Sequence, residues 1–222
     1  MTISNLDLPV QTLGFSLGNA DQLAGELALT VSNALRGAIA ERGVATLVVS
    51  GGRSPIAFFE RLAQQELDWA NVTVSLADER WVLVSHPDSN EGLLRRHLLQ
   101  GPAAAARLVG LYQSAASLEE AADRADAALA ELPPIDVLVL GMGEDGHTAS
   151  LFPGAARLPQ ALRGSSPITW LRPIAAPHAR LTLTLPALLA TRELALSIAG
   201  AGKLATYQQA RLAADESLPV SL

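Results

Sequence analysis

Leu23, Leu27, Val31, Leu35 and Ile39 recur every four residues, so Asp21 to Arg42 predicts an amphipathic helix with Asn19 or Asp21 as its cap. Ala45 to Val49 is instead a continuous apolar run ended by Gly51-Gly52, the pattern of a strand buried on both faces. Ser54-Pro55 reads as cap and first residue of a helix through Phe58, Phe59 and Leu62. Val72 to Ala77 and Ile135 to Leu140 repeat the buried-strand pattern, and Leu181 to Leu185, Leu194 to Ala199 and a minor Leu108 to Leu111 add three more. The polar stretch Asp78 to Asn90 predicts a long loop leading into a helix near Glu91 to Leu99. Ser117 and Glu120 form a capping box for an Ala-rich helix that ends before Pro133-Pro134, and a last helix starts at Gly202. Strands alternating with helices imply a parallel sheet covered on its faces. The expected fold is therefore α/β: one doubly wound, Rossmann-like domain over residues 1–222, mostly parallel sheet flanked by helices.

Composition narrows what such a domain does. Hydrophobic residues make up 49% and charged residues 17%, which excludes intrinsic disorder. The net charge of -6 is broken by no basic cluster, which argues against a nucleic-acid partner and leaves small, locally held anions. With no cysteine there is no disulfide framework, thiol nucleophile or zinc-thiolate site. Met1 to Pro9 lacks the basic and apolar regions of a secretory signal, and the charge-free stretch Leu8 to Ala20 is too short for a membrane span, so the expectation is a cytoplasmic protein. His86, His97, His147 and His178 show no paired ligand spacing, so no metal is expected.

Ligands of an open parallel sheet collect at the carboxyl ends of its strands, and three loops there carry suitable residues. In Ser50-Gly51-Gly52-Arg53-Ser54-Pro55 the glycines admit close backbone approach to an anion, with Arg53 and Ser54 as donors. The same residues also make an ordinary tight turn with a solvent-facing arginine. Asp78-Glu79-Arg80 places acids and a base directly after a strand. Arg80 suits a phosphate or carboxylate and Asp78 a sugar hydroxyl or a proton, although a solvated ion pair has the same look. Gly141 to Gly154 surrounds Glu144, Asp145 and His147 with glycines, and Thr148 to Phe152 reads as the first turn of a helix whose free N–H groups would flank His147. A neutral imidazole there takes a proton from water, with Asp145 orienting it. A capping histidine is the other reading. Lys203 opens the last helix, where the macrodipole disfavours a cation unless an anion is near, and Arg180 precedes a strand. A Gly-x-Ser-x-Gly elbow is absent, which disfavours a serine hydrolase.

Taken together, these blocks resemble the stand-alone bacterial 6-phosphogluconolactonases. The matching pieces are Ser50 to Pro55, Asp78 to Val82 with Ser89-Asn90, Gly141 to Gly154, Arg180 to Pro186 and Gly200 to Lys203, in family order. The resemblance implies hydrolysis of a phosphorylated sugar lactone in the oxidative pentose phosphate pathway, without metal or organic cofactor. It implies His147 as general base beside Asp145. For substrate binding it implies Gly51, Gly52, Arg53, Ser54, Asp78, Arg80, Gly143, Arg180 and Lys203. Glucosamine-6-phosphate deaminases resemble the chain less: that family carries a glutamate five positions after the histidine, where this chain has Phe152, and Asp-Glu-Tyr where it has Asp78-Glu79-Arg80. Sugar-phosphate effector domains of regulators, a third resemblance, would need the anion loops but no general base. The oligomeric state is not legible in the residues.

Overall fold

The computed structural model describes residues 17–174 and 176–222, so the expectation on Met1 to Pro9 lies outside the described residues. Five strands form a parallel sheet in the order β4-β2-β1-β5-β8: β1 Ala45–Val49, β2 Val72–Leu76, β4 Arg107–Val109, β5 Val137–Leu140 and β8 Glu193–Leu196. β1 lies at the centre and all five of its residues are buried, as a continuous apolar run requires. The chain leaves β1 for β2 and β4 on one side, then returns to β5 and β8 on the other. The order reverses between β1 and β5, and at such a point the following loops diverge and open a crevice.

Helix α1 (Ala20–Arg42) starts at Asn19, whose side chain accepts from the Gln22 N–H, and ends at Gly43, where φ of 80° admits the left-handed cap. The face it buries carries Ala24, Ala28, Val31, Ser32, Leu35 and Ala38, which shares Val31 and Leu35 with the row of the four-residue repeat but turns toward alanines at both ends of the helix. The small alanines let the helix approach the sheet, and Leu23 and Leu27 are half-buried at the edge of the crevice, Leu27 still packed against the core. Below the sheet, buried Asp136 accepts from the Thr46 N–H and pairs with Arg42, pinning the start of β1 to α1.

Two expectations are corrected. Asp78–Arg80 is not loop but strand β3, and Arg180–Leu183 (β7) belongs to a second sheet, antiparallel, in the order β3-β7-β6 with β6 at Ile168–Leu171. Ala77 joins the two sheets, its N–H donating to Val49 of the large sheet and its carbonyl accepting from Leu183 of the small one. Three residues after a sheet-to-sheet switch give no periodicity to read. Second, Thr148 to Phe152 makes a tight turn closed by a Thr148–Leu151 bridge, with Ala149 at φ 47°, and no helix follows until α5 (Leu158–Arg163). The other helices are α2 (Ile56–Leu62), α3 (Asn90–His97), α4 (Leu118–Leu129), α6 (Leu185–Leu189) and α7 (Ala201–Ala210). α2 begins one residue after Pro55, without a side-chain cap from Ser54. No helix among the described residues is long and apolar enough to cross a membrane.

Candidate active site

The loops after β1, β2, β5 and β8 converge on a cavity of about 280 Å³ whose lining includes Gly51, Gly52, Ser54, Asp78, Arg80, Gly143, His147, Arg180 and Lys203. Residues from five separate stretches of chain thus meet at the predicted end of the sheet. Of the residues expected there, Asp145 is outside the lining and meets it only through His147, and Arg53 does not line the cavity either. The turn at Gly52, with φ of 98°, carries the chain past the opening and leaves that side chain exposed.

The basic wall has a simple origin in strand register. Arg80 on β3 pairs directly with Arg180 on β7, and both line the cavity. Like charges directly opposite on an antiparallel pair repel, and Arg180 is 5% exposed, so burial followed by the Arg80 charge holds its guanidinium below the usual arginine range. Protein carbonyls absorb only part of that charge: Arg180 donates to the carbonyls of Pro177 (2.7 Å) and His178 (2.9 Å), and Arg80 to that of Asp88. A paired, partly desolvated guanidinium couple is the arrangement a dianion completes.

Glu79, between Asp78 and Arg80 in sequence, turns the other way. It is fully buried and accepts from the N–H groups of Arg80, Asn90 and Glu91, each at 2.7 Å, and from Ser89 Oγ at 3.1 Å, closing the N-terminus of α3. Burial pushes its carboxyl up to about 7 against those hydrogen bonds. That cap fixes Asn90, whose amide donates to the Asp78 carbonyl at 2.8 Å while its side chain fills the space a Cβ at Gly51 would take, 2.0 Å from Asn90 Oδ1. Asp78 itself is held by Ser150, whose Oγ donates to Oδ2 at 2.6 Å.

On the opposite wall, His147 Nδ1 lies 2.6 Å from Asp145 Oδ1. A carboxylate only accepts, so Nδ1 carries the hydrogen and the Nε2 lone pair is the basic one. The ring stacks on Phe152 with centroids 4.3 Å apart, and the Arg180 guanidinium lies over the same Phe152 ring at 5.8 Å. One aromatic ring therefore touches both the base and the basic wall. Gly143 is required here for space: a Cβ would stand 2.3 Å from His147 Nδ1 and 2.4 Å from Asp145 Oδ1.

The source of oxyanion donors is corrected. The N–H groups of Gly143, Gly146, Leu151 and Phe152 are consumed within the loop, on His147, Gly143, Thr148 and Ser150 respectively, so no free helix turn flanks the histidine. The Gly51 and Gly52 amides find no partner among the described residues. Lys203, in the first turn of α7, reaches the same cavity because Thr206 anchors that helix to the Glu144 carbonyl at 2.9 Å. Two lining residues escaped the sequence reading as individual ligands: the buried Ser50 Oγ and Asn90 Oδ1 have no partner among the described residues, as expected of groups that meet a hydroxylated guest. Asn90 had a signal, its place in a block of the resemblance; Ser50 had only its place beside the glycines.

Comparison with known proteins agrees with this geometry. The family described as glucosamine-6-phosphate isomerases/6-phosphogluconolactonase matches residues 18–222. A 6-phosphogluconolactonase of Pseudomonas putida is 56% identical over 212 residues, covering 95% of this chain and 88% of that protein. One of Pseudomonas aeruginosa is 55% identical, covering 97% and 92%. The crystal structure of a 6-phosphogluconolactonase from Shewanella baltica superposes with a TM-score of 0.91 at 40% identity, covering 92% of this chain and 89% of that one.

Proposed function

We infer the reaction from one premise: the chain belongs to the family of glucosamine-6-phosphate isomerases and 6-phosphogluconolactonases. Its activity is that of the lactonase branch, hydrolysis of 6-phospho-D-glucono-1,5-lactone to 6-phosphogluconate in the pentose phosphate pathway. The observation that carries this reading on the chain's own atoms is the sharing of one cavity by a carboxylate-oriented histidine and a cross-strand arginine pair.

In the proposed mechanism, Arg80 and Arg180 hold the 6-phosphate, and Asp78, Ser50 and Asn90 meet ring hydroxyls. His147 Nε2 takes a proton from water as its oxygen attacks the lactone carbonyl carbon. The tetrahedral oxyanion is stabilised by Lys203 and the Gly51 and Gly52 amides. Collapse breaks the bond to the ring oxygen, which receives the proton from His147, and the carboxylic acid so formed releases its remaining proton to solvent as the open carboxylate. Asp145 works through His147, holding its tautomer and supporting the imidazolium that forms. Phe152 occupies the place where a ring-opening deaminase has its glutamate, which supports the lactonase branch.

We further propose that residues 1–222 act as one hydrolase domain. Its working compartment is the cytoplasm, since a phosphorylated substrate does not cross a bilayer unaided. The test follows freshly generated phosphogluconolactone above its spontaneous rate, in parallel with ammonia release from glucosamine 6-phosphate. Acceleration of the first alone is the expected result; ammonia release alone would overturn it.

A further inference from the structure

Beside the anion crevice lies a second cluster that the proposed reaction does not use. The segment between β3 and α3 supplies His86 and Asp88, and the residue two before β7 supplies His178. One ring nitrogen from each histidine and one Asp88 carboxylate oxygen all lie within 4.8 Å of one another. His178 Nε2 stands 3.0 Å and His86 Nδ1 3.9 Å from the same oxygen, Asp88 Oδ2, and the two rings meet edge-on at 5.2 Å.

We propose that His86, Asp88 and His178 bind a divalent transition-metal ion of the zinc class. Two imidazoles and one carboxylate form a mixed nitrogen and oxygen set that suits zinc, cobalt or nickel and not the all-oxygen shells of calcium or magnesium. The ordinary alternative is a surface ion pair between Asp88 and a protonated histidine. It accounts for one imidazole but not for two. His86 Nδ1 accepts from the Asp88 N–H at 3.1 Å, which holds that ring beside the carboxylate with no hydrogen on Nδ1, and an ion bound there would take this lone pair in place of the N–H.

Further features fit a built site. His178 adopts φ of 67°, a left-handed conformation that a non-glycine residue rarely takes, and it is this turn that presents the ring to Asp88. The backbones of two ligands are anchored from behind, the Asp88 carbonyl by Arg80 and the His178 carbonyl by Arg180. All three side chains retain exposure, between 27% and 52%, which leaves a path for the ion and room for water to complete its shell. A bound cation would thus tie together the two segments whose carbonyls aim the arginine pair. No spacing rule reveals the site, because His178 is 90 residues from Asp88.

This goes beyond the lactonase reading and its test reads the metal itself. Chelator-treated protein is titrated with Co²⁺, followed by its visible absorption, then with Zn²⁺ as competitor, and the melting temperature is recorded with and without Zn²⁺. The expected result is one cobalt per chain, displacement by zinc and a raised melting temperature. His86→Ala and His178→Gly, the latter tolerant of the positive φ, should each weaken binding at least about tenfold while remaining folded, and His147→Ala should bind as the parent does. No stoichiometric cobalt in the parent, undiminished binding in both ligand variants, or loss only in His147→Ala would overturn the assignment.

Discussion

Replacing Arg80 with methionine should weaken phosphate binding without weakening the fold. The side chain is half-buried, faces Arg180 across the β3–β7 pair and, among the described residues, hydrogen-bonds the Asp88 carbonyl, which water can take over. Methionine keeps the stem packing and removes one of two opposed charges, relieving repulsion worth roughly 0.2–1 kcal/mol. In a chain of this length that is neutral to a few degrees of melting temperature in the variant's favour. The bound phosphate, by contrast, loses one arm of a charge-assisted clamp, about 2 kcal/mol at the lower end for a desolvated charge pair, or roughly thirtyfold in affinity. Calorimetric titration with 6-phosphogluconate reads the affinity, and thermal denaturation of the free protein reads the fold. Phosphate should also raise the melting temperature of the parent more than that of Arg80→Met. A variant that melts well below the parent yet binds 6-phosphogluconate as tightly would refute the reasoning and make the arginine pair a structural device.

The remaining tests probe the groups behind the site. Because Glu79 titrates near 7 when folded and near 4.5 as a free carboxyl, its contribution to stability is complete below about 4.5 and is lost as pH rises through about 7. Urea denaturation should therefore show the parent losing about 2–3 kcal/mol relative to Glu79→Gln between pH 5 and pH 8, and a pH-independent difference would contradict the shift. Gly143→Ala drives a Cβ into the His147–Asp145 pair and should depress kcat while leaving 6-phosphogluconate affinity near parental; unchanged kcat would show that the pair need not sit where it does. Asp145→Asn permits the wrong imidazole tautomer and should lower kcat by less than His147→Ala does, with KM little changed, so a fall equal to that of His147→Ala would make Asp145 a direct participant.

The large sheet was legible because each of its central strands is a short apolar run bounded by glycine or polar residues, and burial on both faces writes itself into consecutive positions. Helix α1 was legible from spacing, and Val31 and Leu35 of the repeat are buried as expected, but toward its start close packing selects Ala24 and Ala28 over the larger Leu23 and Leu27. The small sheet escaped because β3 is three residues long and its pairing with β7 is a hundred residues away in sequence. The same distance hid the Arg80–Arg180 register that gives the crevice its charge and the His86–Asp88–His178 cluster beside it, since both are made by long-range pairing. His147 and Asp145 were visible because their contact spans only two residues. The turn after them has the look of a helix start, since glycine-rich loops at strand ends commonly precede helices and nothing local announces that Thr148 bridges back to Leu151.

The central claim is that the Nε2 lone pair of His147 activates the attacking water. It is tested most directly by single-turnover lactone hydrolysis in His147→Ala, corrected for the spontaneous rate, beside the variant's affinity for 6-phosphogluconate. The account predicts a rate about a hundredfold to ten-thousandfold below the parent with affinity retained. A folded variant that turns over lactone at close to the parental rate would contradict it.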